Sequence, residues 1–262
     1  QQSRQTSEAA RLTGRRRLRQ LQTPRPFNRK SQCLCRHPQP LSAALIMSLA
    51  PRERLRLLTR HPVRPERKFV LYWMTSARRV AFNFALEHAV ARAEELGRPL
   101  VILEALRADY PWASERLHTF VVQGMADNAR ALARTRATYY PYVEPRADDA
   151  KGLLRAVAAH ACLVVADDSP AFFMPQLLAA AAAQVDVALE AVDGNGIVPT
   201  RATTQAYPTA YAFRRFVHPY IAREGARLPA ERPLARVALP RLAALPERVT
   251  SQWPPTQGLE DV

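Results

Sequence analysis

Polar clusters stand at the ends of successive apolar runs in this chain. They are Thr75, Ser76, Arg78 and Arg79; Glu104 and Arg107; Asp167, Asp168 and Ser169; and Asp193 with Asn195. Carboxylates, hydroxyls and guanidinium groups so placed can close turns, cap helices, or hold an anion or a conjugated ligand. Taken singly, Asp, Ser and Asn at such points are ordinary turn residues, and Arg78-Arg79 reads equally well as a solvated helix start. A binding role rests on their convergence, because parallel α/β sheets bind ligands beyond the carboxyl ends of their strands.

Other chemistry finds little support. Gly194-x-Gly196 is followed by Ile197-Val198-Pro199, with neither a third glycine nor a helix start, and no Gly-x-x-x-x-Gly-Lys occurs. The 6 histidines are scattered, and no Ser or Cys sits in a nucleophile-elbow context. Cys33, Cys35 and Cys162 are too few for a disulfide framework and lack metal-ligand spacing. No catalytic residue and no metal site is therefore assigned.

The elements that must position these clusters alternate between short apolar runs and longer helical stripes, the pattern of βαβ units around a parallel sheet. Five strands are expected: residues 69–74, 100–106, 138–143, 162–166 and 185–192. The first is apolar throughout and should be central, whereas Pro141 places the third at or near an edge. Helices are expected from about Ser76 to Leu96, stopped by Gly97; from Ser114 with Leu117, Phe120, Val121, Gly124, Met125, Asn128 and Leu132 inward; over 149–159; and over 175–183. Gly124 is expected to allow close helix–sheet contact. Trp73 is expected in the core, and Trp112 and Trp253 at loops or interfaces.

The formal charge of +15 is unevenly spread: residues 1–67 hold 16 Lys+Arg against Glu8, Glu53 and Glu66, whereas residues 68–262 hold 22 against 20 acids. The basic character is thus no argument for a nucleic-acid-binding face on the fold. Residues 1–67 read as a basic, largely disordered leader, with residues 1–46 unable to offset the entropy of ordering and a true start expected at Met47. A transit peptide and a basic DNA-binding arm are the competing readings of that leader. Neither end carries an apolar run approaching the ~18 residues of a bilayer span or a secretory signal. A cytoplasmic location, or a nuclear or organellar one in a eukaryote, is expected.

Val70-Leu71-Tyr72-Trp73-Met74, then Arg79-Val80 and Asn83-x-Ala85-Leu86, resembles the opening of the class II cyclobutane-pyrimidine-dimer DNA photolyases. Asp168-Ser169-Pro170, Asn195-Gly196-Ile197-Val198-Pro199 and the segment 207–215 keep the family's order, so the resemblance covers residues 68–222. Thr75-Ser76-Ala77 replaces the family's Gln-Arg-Asp turn, and Tyr207-Pro208-Thr209-Ala210-Tyr211 departs from its Tyr-Ala-Ala-Arg type run.

The resemblance implies a photolyase/cryptochrome α/β domain, Rossmann-like and doubly wound around five parallel strands, over residues 68–198. Residues 199–262 would be an interdomain helix and Pro-rich linker toward an all-helical FAD domain beyond this chain. It further implies a flavoprotein lyase of DNA repair, which splits dimers in UV-damaged DNA by electron transfer from photoexcited reduced flavin. This chain would supply the scaffold and a site for a deazaflavin- or folate-type antenna chromophore. Ser76, Arg78, Arg79, Glu104, Asp168 and Asn195 would line the antenna cleft. Without the flavin domain a partial enzyme, inactive alone, is expected; a stand-alone nucleotide- or flavin-binding module or a cryptochrome-like signalling module is the alternative.

Overall fold

The chain divides into two units, Gln1–Ala43 and Ala44–Val262. The computed structural model describes residues 50–224, 227–235 and 237–261 of the second. The expected disorder of residues 1–46, the start at Met47, and Cys33 and Cys35 all lie outside the described residues.

In chain order the elements are β1 (Leu55–Leu57), β2 (Phe69–Met74), α1 (Phe84–Leu96), β3 (Leu100–Leu106), α2 (Glu115–Leu132) and β4 (Thr138–Val143). They continue with α3 (Leu153–Ala158), β5 (Ala161–Asp168), α4 (Met174–Ala182), β6 (Leu189–Asp193), α5 (Ala210–Glu224) and α6 (Glu247–Gln252). The sheet order is β1-β6-β5-β2-β3-β4, with β2 to β6 parallel. β2 is buried at every residue because helices cover both faces, as its unbroken apolar sequence predicts. Val70, Tyr72 and Met74 face a core shared with α1, and Phe69, Leu71 and Trp73 face one shared with α3, α4 and α6.

The five expected strands are present, and a sixth is added. β1 pairs antiparallel with β6, Leu55 opposite Val192 and Leu57 opposite Glu190, and covers an edge that would otherwise be open. It comes from the stretch read as leader, where three residues among arginines are too short to show a period of two. The opposite edge is β4, as Pro141 indicates, and it too is covered. The Thr256 N–H donates to the Pro141 carbonyl at 2.9 Å and the Val143 N–H donates to Thr256 Oγ1 at 2.8 Å. Residues 237–261 thus fold back onto the α/β core, burying Leu239, Val249, Trp253 and Leu259. Trp253, expected at a loop or interface, donates through Nε1 to the Asp149 carbonyl at 2.8 Å.

Several boundaries shift for identifiable reasons. The first helix starts at Phe84, not near Ser76, because Asn83 is its cap, accepting from the N–H groups of Ala85 and Leu86 at 2.9 and 3.1 Å. Ser114 caps α2 as expected, but the buried face is rotated onto Val122, Met125, Ala126, Asn128 and Leu132, leaving Leu117 exposed and Phe120 75 % exposed. A Cβ built on Gly124 would meet nothing within 4 Å, so this glycine serves no close approach. α3 is shorter than expected, its entry set by Gly152 at φ 87°. Asp167 and Asp168 lie inside β5, not in the turn after it, and the last strand is confined to Leu189–Asp193. Pro175 does occupy the first turn of α4.

Candidate functional site

The sheet order reverses between β2 and β5, so the loops that follow these strands diverge there and frame the crevice in which such folds hold ligands. Here the crevice is filled by the protein itself. Asp167 Oδ2 accepts from the N–H groups of Thr75, Ser76 and Ala77 at 2.8, 2.8 and 3.0 Å, and Oδ1 accepts from the Tyr72 hydroxyl at 2.8 Å. Three successive N–H groups form an anion nest, and an internal carboxylate occupies it. Asn83 Nδ2 donates to the Tyr72 oxygen at 2.9 Å. Burial first, and the neighbouring Asp167 charge second, push the Tyr72 hydroxyl well above its ordinary value.

Beside it, Glu104 is fully buried and accepts from Arg78 Nη1 at 3.1 Å, Asn128 Nδ2 at 2.9 Å and the Tyr139 hydroxyl at 2.7 Å. Tyr139 is raised by burial and then by Glu104. Arg78 also donates to the carbonyls of Thr75 and Ala105, strapping the loop after β2 to β3. Arg79 is exposed and folds back on the carbonyls of Ala81 and Phe82.

On the other flank, Asp168 pairs with Arg56 at 2.8 Å and Arg201 at 2.7 Å. Asn195 Nδ2 donates to the Asp168 carbonyl and to Asp193 Oδ1, both at 2.8 Å. The remaining Asp193 oxygen accepts from the Thr200 N–H and hydroxyl, both at 2.7 Å. Arg54, 2 % exposed, donates to the carbonyls of Asp193, Asn195, Gly196 and Ile197 at 2.8 to 3.2 Å and lies 4.2 Å over the Phe84 ring. Burial lowers its pKa below the usual arginine value.

The structure therefore brings Ser76, Arg78 and Glu104 to one side of the crevice and Asp168 and Asn195 to the other. Their polar groups are spent on loop–strand hydrogen bonds, and Ser76 takes part through its backbone. Sequence reasoning missed Arg54, Arg56, Asn83 as a cap, Asn128 as a partner of Glu104, and Tyr139. Only Asn83, four residues after Arg79 and just before an apolar stripe, carried a readable cap signal.

A separate cleft of about 330 Å³ opens on the other face of the sheet between α3 and α4. Trp73, Leu103 and Ala105 are among its lining residues from the strands, with Leu153, Leu177 and Ala181 from the helices, and Arg107, Lys151 and Gln184 as polar lining residues. Glu144, buried, holds two of its loops together by accepting from the N–H groups of Ala108 at 2.7 Å and Ala150 at 2.9 Å. Lys151 pairs with Asp148 at 2.8 Å. Of the polar residues noted at the strand ends, Arg107 alone lines this cleft. It makes no hydrogen bond or ion pair among the described residues.

No group of three or more His, Cys, Asp or Glu among the described residues could hold a metal ion. His88 is committed to Glu190 at 2.7 Å and to the Ala50 N–H at 3.2 Å. No helix among the described residues is long and apolar enough to cross a membrane.

No family model matches the chain. It is 29 % identical over 147 residues to a deoxyribodipyrimidine photo-lyase of Methanothermobacter thermautotrophicus. The match covers 56 % of this chain and 32 % of that protein, so the chain spans less than half the length of the curated relative it matches. This distant similarity, on a doubly wound α/β fold, supports the photolyase family.

Proposed function

We propose that this chain provides the α/β domain of a class II-type DNA photolyase and that its α3/α4 cleft is the seat of an antenna chromophore of deazaflavin or folate type. The observation that carries the reading is the 147-residue similarity to a deoxyribodipyrimidine photo-lyase. The order of Tyr72-Trp73-Met74, Arg79-Val80, Asn83-x-Ala85-Leu86 and Asn195-Gly196-Ile197 supports the class II form. An antenna chromophore absorbs light and passes the excitation to the flavin. The cleft suits it by having an apolar lining beside a strand tryptophan and an uncommitted cation, Arg107, at a polar margin.

Repair of cyclobutane pyrimidine dimers in UV-damaged DNA, with FAD as cofactor, is the proposed activity of the whole assembly. The described residues do not fit FAD at the β2/β5 crevice, because the N–H groups of Thr75, Ser76 and Ala77 that would take its pyrophosphate already bind Asp167. We assign these residues a scaffold and antenna role and place no electron-transfer step in them. The same filled nest speaks against a stand-alone nucleotide-binding module.

The purified full chain is expected to take up a deazaflavin or a reduced folate and to leave dimers in irradiated DNA intact under light with reduced FAD. Uptake of neither would remove the antenna role. Dimer loss would place a working flavin site within this chain.

A further inference from the structure

A second groove, of about 400 Å³, runs between α3 and α6. Its polar lining residues are Lys151, Arg155, His160, Arg248 and Gln252, and no Asp or Glu is among the residues that line it. All five can donate hydrogen bonds. Such imbalance is local, because residues 68–262 as a whole carry 22 Lys+Arg against 20 acids. An exposed arginine on a helix is ordinarily a solvated charge. Here packing brings two of them to one groove: Val249 and Trp253 are buried in the same core as Leu153 and Val157, which sets Arg248 of α6 and Arg155 of α3 on its two walls.

Neither guanidinium makes a hydrogen bond or ion pair among the described residues. Arg155 Nη2 lies 3.9 Å, and the Trp253 ring 3.6 Å, from the position a Cβ on Gly152 would take, so this guanidinium and the end of α6 stand within reach of one bound ligand. Lys151 is paired with Asp148, but both are exposed, and such a surface pair is readily exchanged for a better anion. At the far end of α3, burial first, and the charges of Lys68 and Arg67 next, hold the His160 imidazole below its ordinary value. Positive charge is thus gathered along the whole groove, and the like charges repel unless an anion lies between them.

We propose that the α3/α6 groove is a binding site for phosphate groups, with Arg155 and Arg248 holding the phosphate oxygens from its two walls and Lys151 adding a third cation. The inference goes beyond the antenna reading and does not rest on it. Planar guanidinium groups match phosphate oxygens in pairs, and a groove without a carboxylate offers the anion no competitor. Two sources share this chemistry: a small phosphate ester and the backbone of a nucleic-acid strand.

The test is calorimetric titration of the full chain with pyrophosphate, joined by fluorescence anisotropy with a labelled single-stranded oligonucleotide. Arg155→Gln and Arg248→Gln should each weaken pyrophosphate binding about tenfold, the scale of a lost charged hydrogen bond. Ala159→Glu, which sets a carboxylate on the groove from an exposed position, should abolish it. Asp148→Asn frees Lys151, keeps a residue type that tolerates positive φ, and should tighten binding about two- to fivefold. Arg116→Gln removes the same charge from an exposed position outside the groove and should change nothing. All these positions are exposed, so the variants should keep the fold, which urea unfolding checks. No pyrophosphate binding by the wild type, wild-type affinity in Ala159→Glu, or an equal loss in Arg116→Gln overturns the site. Oligonucleotide binding that falls with Arg155→Gln, Arg248→Gln and Ala159→Glu assigns the site to a nucleic-acid strand. Oligonucleotide binding that is absent or insensitive to them, with pyrophosphate still responding, assigns it to a small phosphate ester.

Discussion

The two concave regions at the carboxyl ends of the strands are opposites. In the β2/β5 crevice the buried carboxylates are all partnered, with Asp167 alone accepting four hydrogen bonds between 2.8 and 3.0 Å. In the α3/α4 cleft and its bordering loops, Arg107 is uncommitted and His118 Nε2 unpaired among the described residues, and Trp112 and Phe172 sit at positive φ and exposed. Convergent polar residues mark a place where loops must be tied down. Unsatisfied and strained ones mark a place where something else is expected to bind.

Substitutions should separate the two regions by both size and sign of effect. Asp167→Ala would leave three N–H groups and the Tyr72 hydroxyl without their acceptor and should cost about 3–5 kcal/mol in urea unfolding. A cost under ~1 kcal/mol would mean the crevice is not sealed as described. Arg54→Met strips four carbonyls of their donor and should cost about 2–3 kcal/mol, with faster amide exchange in residues 50–57 and 193–200.

Tyr72→Phe should cost about 1 kcal/mol at neutral pH. Its pH dependence is the sharper test. The Tyr72 and Tyr139 hydroxyls are raised above the ordinary 10.0 in the folded state, so the folded state holds these protons longer than the unfolded chain. Their contribution is complete below pH 10.0 and is lost as pH rises beyond it. Unfolding midpoints followed into alkali should fall less steeply in Tyr72→Phe than in wild type; parallel curves would contradict the Tyr72–Asp167 bond.

The smallest expected effect has the opposite sign. Trp112→Gly removes an exposed ring and the steric cost of φ 69°, and should raise stability by about 0.5–1 kcal/mol. Destabilisation there would show that Trp112 is a packing residue and would erase the contrast between the regions.

Much of the fold was legible because its signals are local. The unbroken apolar run 69–74 announced a central strand, Pro141 an edge, Gly97 a helix stop and Ser114 a cap, and the structure shows each. β1 was not legible, since Leu55-Arg56-Leu57 is ordered by an edge supplied more than a hundred residues later. The rotation of α2 escaped because Phe120 and Leu117 satisfy a helical stripe that tertiary packing does not use. At the sites, sequence reasoning found the polar residues at the strand ends but could not tell committed from free ones. Whether Asp167 binds a ligand or its own backbone depends on where Thr75–Ala77 turn, and no residue type encodes that. The α3/α4 cleft is lined mainly by alanines, leucines and a core tryptophan, which read as ordinary interior.

The central claim is that the ligand site is the α3/α4 cleft and not the β2/β5 crevice. It is tested most directly by amide hydrogen exchange on the full chain with and without saturating FMN. The account predicts added protection over residues 148–154 and 177–184 and in the loop holding Trp112, with residues 75–83 unchanged. Protection centred on residues 75–83, with the cleft unaffected, would contradict it.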